Sequence, residues 1–158
     1  DVVTSRKEYS YRGAYRAYLD CGRAKDVETT EQAIRELCPE YLDAFRSEFL
    51  ESAGGYPANM FLCRRPVLDA YCAWLFRILD YVEAHTDLTG YTPQEARIYG
   101  YLSERLWSVW LAKQDLQVRT MRILNTEETP DGGKYLRECC KAAGLEQAAK
   151  RLLFRIRK

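Results

Sequence analysis

Apolar residues recur at intervals of three and four over several stretches of the chain, and this period predicts helices. The clearest run follows Pro66, where Val67, Leu68, Tyr71, Trp74, Leu75, Ile78, Leu79 and Val82 make one stripe of a helix packed along one face. A second run carries its own start signal, since Thr92-Pro93-Gln94-Glu95 places a capping threonine, a first-turn proline and a glutamate in order. Its apolar stripe is Tyr99, Leu102, Leu106, Val109 and Trp110. A third begins at the Thr29-Thr30-Glu31-Gln32 capping box and continues through Ile34, Leu37, Cys38, Tyr41, Leu42, Phe45 and Phe49. Pro39 divides it into two helices, because proline suits a first turn and not an interior.

Strands are fewer. Asp1-Val2-Val3-Thr4-Ser5 reads as a strand entered in mid-domain, and Asn59-Met60-Phe61-Leu62-Cys63 as a buried strand between turn residues. Leu116 to Leu124 partly alternates and is compatible with a third strand, while Tyr9 to Tyr18 fits a loop or a short helix equally well. Gly54-Gly55 breaks the helical pattern, and Pro130-Asp131-Gly132-Gly133 makes a turn. Two tail helices are predicted from about Tyr135 and about Leu145. The last is basic and amphipathic, with Lys150, Arg151, Arg155, Arg157 and Lys158 opposed to Leu145, Ala148, Ala149, Leu152, Leu153 and Ile156. Such an order gives a helix-rich α/β chain with too few strand-helix-strand units for a self-contained parallel sheet, so part of the sheet is expected elsewhere.

Composition narrows the function. The 158 residues, 47% of them hydrophobic, suffice for one compact domain with a core. A net charge of +1 does not suit wrapping by nucleic acid, and any electrostatic partner must meet a local patch. Six cysteines, Cys21, Cys38, Cys63, Cys72, Cys139 and Cys140, form no C-x-x-C pair and read as buried, reduced thiols of a cytoplasmic protein. With a single histidine, His85, no zinc site is expected, and that residue is assigned to the free carbonyls at a helix end. There is no phosphate-binding glycine loop, no Asp-x-Asp pair to hold a metal on a diphosphate, and no apolar run of membrane-spanning length.

What remains is the charge set into the helix that follows Thr92. Ser103 lies at the edge of the apolar stripe, and Arg97 and Glu104 share a neighbouring face seven residues apart. Glu104 is the candidate general base, because a carboxylate at such an edge can accept a proton from a hydroxyl. Arg97 and Arg105 can grip phosphate oxygens by charge-assisted hydrogen bonds. Surface ion pairing accounts for the same residues without any catalysis. Asn59, at the entry to a strand, can hydrogen-bond a sugar hydroxyl or simply satisfy loop backbone. Trp74, Trp107 and Trp110 are read as packing residues.

Three segments taken together carry a resemblance. They are Tyr56-Pro57-Ala58-Asn59-Met60-Phe61-Leu62, then Asp69 through Leu79 with its Tyr71-Cys72-Ala73-Trp74-Leu75-Phe76 core, then Ala96 through Leu106 with Gly100-Tyr101-Leu102-Ser103-Glu104-Arg105-Leu106, and Trp110 beyond. In this order they resemble a bacterial family known as a domain of unknown function and found in capsular polysaccharide and exopolysaccharide glycosyltransferases. Asp1-Val2-Val3 and Pro39 through Phe45 also look like family positions, so the resemblance covers roughly residues 1–124, with 125–158 as a separate helical tail.

The resemblance implies the C-terminal portion of a glycosyltransferase A-type fold, preceded in the family by a half whose His-Tyr-Arg-Arg-Tyr-type motif has no counterpart here. It also implies transfer of a hexosyl group from a nucleotide-sugar donor to a glycan or lipid-linked acceptor of a growing surface polysaccharide. Asn59, Arg97, Ser103, Glu104 and Arg105 match the family's motif residues, whereas the role of Glu104 as base is our reading of its chemistry. No cofactor is expected in this chain, any divalent metal belongs to the preceding half, and the chain alone is expected to be inactive. The segment Leu145–Lys158 is expected to hold the protein on the anionic inner face of the plasma membrane, or else to dock on its own core. The chain departs from the family at Gln94-Glu95, where Tyr-Gln is usual, at Cys63, where methionine is common, and at Gly22-Arg23, where histidines often precede the position of Asp26. A competing reading is a non-catalytic helical binding module that supports a partner in polysaccharide assembly.

Overall fold

The computed structural model describes residues 1–10 and 12–123. The chain forms two compact units, Asp1–Arg119 and Thr120–Lys158. Of the second, only 120–123 are described, so both tail helices and the Pro130 turn lie outside the described residues.

The first unit is the helix-rich α/β arrangement expected. Strand β1 (Val2–Ser5) is followed by β2 (Glu8–Tyr9), α1 (Gly13–Tyr18) and α2 (Ala24–Leu37). A 3-10 turn at Pro39–Tyr41 leads into α3 (Leu42–Phe45), which runs on as a π-helical turn over Arg46–Leu50. Then come β3 (Gly54–Gly55), β4 (Phe61–Cys63), α4 (Arg65–His85), α5 (Ile98–Ala112) and β5 (Val118–Met121). The strands make a three-stranded sheet in the order β4-β1-β5 and a separate two-stranded ribbon of β2 and β3. In the larger sheet β1 and β4 are antiparallel, with Val2 opposite Cys63, Val3 opposite Leu62 and Thr4 opposite Phe61.

Helices α4 and α5 follow the predicted stripes to different degrees. In α4 the buried residues are Tyr71, Trp74, Leu75, Ile78 and Val82, a one-sided face with Phe76 and Arg77 outward. Helix α5 buries Ile98, Leu102, Leu106, Trp107, Val109, Trp110 and Leu111, together with Ser103 and Ser108. Burial on most of its circumference marks a central helix, not the single stripe read from the sequence. Trp107 stacks on Phe61 at 4.1 Å and meets Tyr71 edge-on at 4.7 Å, while its indole N–H donates to Thr4 Oγ1 at 3.1 Å. The buried Thr4 thereby ties β1 to α5, and the tryptophans serve packing as expected.

Four expectations change. Helix α2 starts at Ala24, five residues before the Thr29-Thr30 box, because Asp26 Oδ2 accepts from the Arg23 amide at 2.8 Å and caps it there. Thr29 and Thr30 lie inside the helix and donate back to the carbonyls of Lys25 and Asp26. The strand at Asn59–Cys63 shortens to β4, and it is not buried: as an edge strand it leaves Leu62 72% exposed. The Thr92 box does form, with Glu95 N–H donating to Thr92 Oγ1 and Thr92 N–H donating to Glu95 Oε2 at 2.8 Å. It opens a 3-10 turn, Glu95–Arg97, before α5 begins. Of the four described cysteines only Cys38 is buried, though all four are free thiols. His85 behaves as expected, its ring Nδ1 lying 2.8 Å from the Tyr81 carbonyl at the end of α4.

Candidate functional site

Helix α5 and the β2-β3 ribbon enclose a cleft of about 270 Å³. Its wall on the helix side is Glu104 and Arg105; the other walls are Glu8, Tyr9 and Ser10, the short side chains of Ala14 and Ala17, and the segment Gly54, Gly55, Pro57 and Ala58. The ribbon can lie this close only because of glycine. A Cβ on Gly54 would stand 2.3 Å from the Glu8 carbonyl oxygen and 2.9 Å from the Tyr9 ring. Ala58 adds strain at the rim, with φ of +53° in the left-handed region that disfavours a Cβ by roughly 1–2 kcal/mol. Strain of this kind persists where surrounding bonds hold it.

Those bonds involve two of the predicted site residues. Asn59 Nδ2 donates to Ser103 Oγ at 2.7 Å, and that hydroxyl donates onward to the Gly100 carbonyl at 2.7 Å. Tyr71 from α4 donates to the Ser103 carbonyl at 3.2 Å. Asn59 and Ser103 thus meet, as a clamp between the β3-β4 loop and α5. Glu104 and Arg105, one step further along the helix, are the pair that faces the cleft, with Arg105 Nη1 3.7 Å from Glu104 Oε2. Arg105 Nε is buried and has no hydrogen-bond partner, and neither does the buried Ser108 hydroxyl one turn on.

Arg97 stands apart from that wall. It is exposed, with its guanidinium over the Tyr101 ring at 5.3 Å. The charges of Arg105, Glu104 and Arg97 nevertheless all act on the Cys21 thiol, whose pKa burial pushes up. The two arginines and the carboxylate therefore border one neighbourhood. Among the described residues no group of three or more His, Cys, Asp or Glu side chains could hold a metal ion, so they do not supply a donor set for one.

A second cluster sits where α2 begins, and sequence reading did not assemble it. The fully buried Asp26 accepts from the Tyr91 hydroxyl at 2.6 Å, the Tyr18 hydroxyl at 3.3 Å and the Arg23 amide at 2.8 Å. Burial first, and then the neighbouring Asp26, push both phenols up, so they remain donors. Arg23 stacks on Tyr91 at 3.9 Å, donates to the Gly90 carbonyl at 2.6 Å and binds Glu95 through two bonds of 2.8 and 2.9 Å. The bond from Arg23, helped by the Thr92 amide, holds Glu95 down to about 2. Arg23 and Glu95, two positions expected to depart from the family pattern, are in contact with each other.

Glu8, Tyr9 and Gly55 were also missed as cleft residues. The only signal in the sequence was the Gly54-Gly55 pair, which marks a close backbone approach as well as a break.

The fold is that of a helix-rich α/β domain, and its likeness to a solved structure relates it to glycosyltransferases. The model of the family described as Domain of unknown function (DUF4422) matches residues 1–115, and the chain belongs to that family. Among solved structures, the apo form of WbbM, a bifunctional glycosyltransferase, is similar with a TM-score of 0.67 and 27% identity. The likeness covers 77% of this chain and 23% of that one, so the chain spans about a quarter of that enzyme's length. No curated protein matches the chain. Among the described residues no helix is long and apolar enough to cross a membrane, and the segment Leu145–Lys158, expected to meet an anionic membrane surface, lies outside them.

Proposed function

We propose that this chain is the acceptor side of a glycosyltransferase that moves a hexosyl group from a nucleotide sugar to a growing bacterial surface polysaccharide. The observation that carries this reading is the shared cleft of Glu104 and Arg105 in a domain similar to a known glycosyltransferase. In the transfer, the acceptor hydroxyl oxygen bonds to the anomeric carbon of the donor sugar and its proton passes to a Glu104 carboxylate oxygen. The bond from that carbon to the phosphate oxygen breaks, and its electron pair leaves with the nucleoside diphosphate. Arg105 and Arg97 supply positive charge beside the departing anion. Asn59 and Ser103 act as positioning residues, since their clamp fixes the helix register that presents Glu104.

Glu104→Gln tests the assignment in the full-length enzyme. Turnover should fall about 10²–10⁴-fold, the usual range for a lost general base, while the melting temperature is retained because Glu104 is partly exposed at the cleft. Unchanged turnover removes Glu104 as the base.

A further inference from the structure

We propose that the cleft beside Glu104 is a subsite for one sugar ring of the glycan acceptor, with Tyr9 as the platform on which that ring stacks; this deepens the transferase reading and rests on it. Tyr9 is 77% exposed, the highest value among the exposed large apolar side chains of the described residues, and it lines the cleft. Its ring lies against Gly54 so closely that a Cβ there would stand 2.9 Å from Cδ1. The missing side chain thus leaves the tyrosine resting on bare backbone. An aromatic ring left in water costs apolar exposure, and its electron-rich face suits the polarised C–H groups of a sugar ring.

The remaining walls agree in size and in chemistry. Ala14, Ala17, Gly55 and Pro57 give a short, mainly apolar lining. The volume of about 270 Å³ lies just under the roughly 300–1,000 Å³ of sites for drug-sized ligands, so a single ring suits it better than a whole nucleoside diphosphate. The polar walls carry both kinds of group, because the carboxylates of Glu8 and Glu104 accept and the partly exposed Arg105 guanidinium donates. A sugar hydroxyl needs both kinds of partner. Neighbouring hydroxyls of one ring can donate to Glu104 and accept from the Arg105 guanidinium, which sets a hydroxyl against the base.

Saturation-transfer NMR on the full chain, with methyl β-galactopyranoside and methyl β-glucopyranoside as acceptor probes and uridine diphosphate as the donor probe, tests the assignment. At least one hexoside should take up saturation from the wild-type protein. Tyr9→Ala should weaken that binding about tenfold, Tyr9→Trp should restore it, and the nucleotide signal should be the same in all three. Thermal melts should coincide, since Tyr9 is mostly exposed. Absence of hexoside binding in the wild type, equal binding by Tyr9→Ala, or displacement of the hexoside by the nucleotide overturns the proposal. In the full-length enzyme Tyr9→Ala should raise the KM for acceptor and leave that for donor unchanged. Hexoside binding that depends on Tyr9 without any transfer by the full-length enzyme would remove the transferase reading alone, whereas normal transfer with an unchanged acceptor KM would remove the subsite alone.

Discussion

Asp26 and Arg105 head two polar clusters in the same small domain, and they are built in opposite ways. Asp26 is fully buried and every neighbour aims a donor at it: two phenols and a backbone amide. Its outer member, Arg23, is likewise satisfied by Glu95, Gly90 and the face of Tyr91. Arg105 is only partly buried, yet its Nε–H is sealed off without a partner and its contact with Glu104 is a loose 3.7 Å. A buried polar group left unpaired costs roughly 1–3 kcal/mol, and the one place where this domain carries that cost among charged side chains of the described residues is the cleft. A closed network is architecture. An open one, bordered by a strained alanine and an exposed tyrosine, is where we propose that a ligand binds.

The contrast predicts that the two clusters fail differently. Asp26→Ala should have the largest effect on stability, about 3 kcal/mol, because it strips acceptors from two phenols and from the Arg23 amide that caps α2 at once. Urea unfolding with an unchanged m-value would measure it. A loss below about 1 kcal/mol would mean that the network closes over a cavity and that its hydrogen bonds matter little.

Asn59→Ala tests the border between the two kinds of cluster. It removes one bond to the Ser103 hydroxyl, which keeps its bond to the Gly100 carbonyl, so about 1 kcal/mol of stability should go. If the clamp positions the cleft, the acceptor KM in the full-length enzyme should rise with it, whereas loss of stability with an unchanged KM would make Asn59 structural only.

How much of this was readable from the sequence follows from the distance between partners. The stripe of α4 is local, repeating within a few residues, and it matched the buried set from Tyr71 to Val82. The Thr92 box is local too, and both of its bonds form. Glu104 and Arg105 were visible as charge inside an apolar helix, but their surroundings were not. The cleft needs β2 and β3, strands of two residues each, too short to show alternation and paired across some 45 positions: Glu8 with Gly55, Tyr9 with Gly54. Asp26 was illegible for the same reason, since its tightest partner is 65 residues away. The exposure of β4 was misread because an apolar run does not reveal whether a strand lies at the edge of its sheet, and Leu62 points away from the core there.

The smallest expected effect belongs to the outer rim of the closed cluster and concerns its response to acid. Glu95 titrates at about 2 instead of its ordinary 4.5, chiefly through its bonds from Arg23. A carboxylate lowered on folding contributes stability that is complete above the unfolded value and is lost as pH falls through the folded one. The contribution of Glu95 should therefore be present above about 4.5 and disappear as the solution is acidified toward about 2. In Glu95→Gln the urea midpoint should be slightly lower at neutral pH, and its decline across that acid window should be shallower than in the wild type. Added salt should narrow the difference between the two, because the pair is accessible to solvent and screened. Parallel acid limbs would show that Arg23 and Glu95 only touch. They would also mean that the closed cluster ends at Asp26, with the 3-10 turn before α5 held by the Thr92 cap alone.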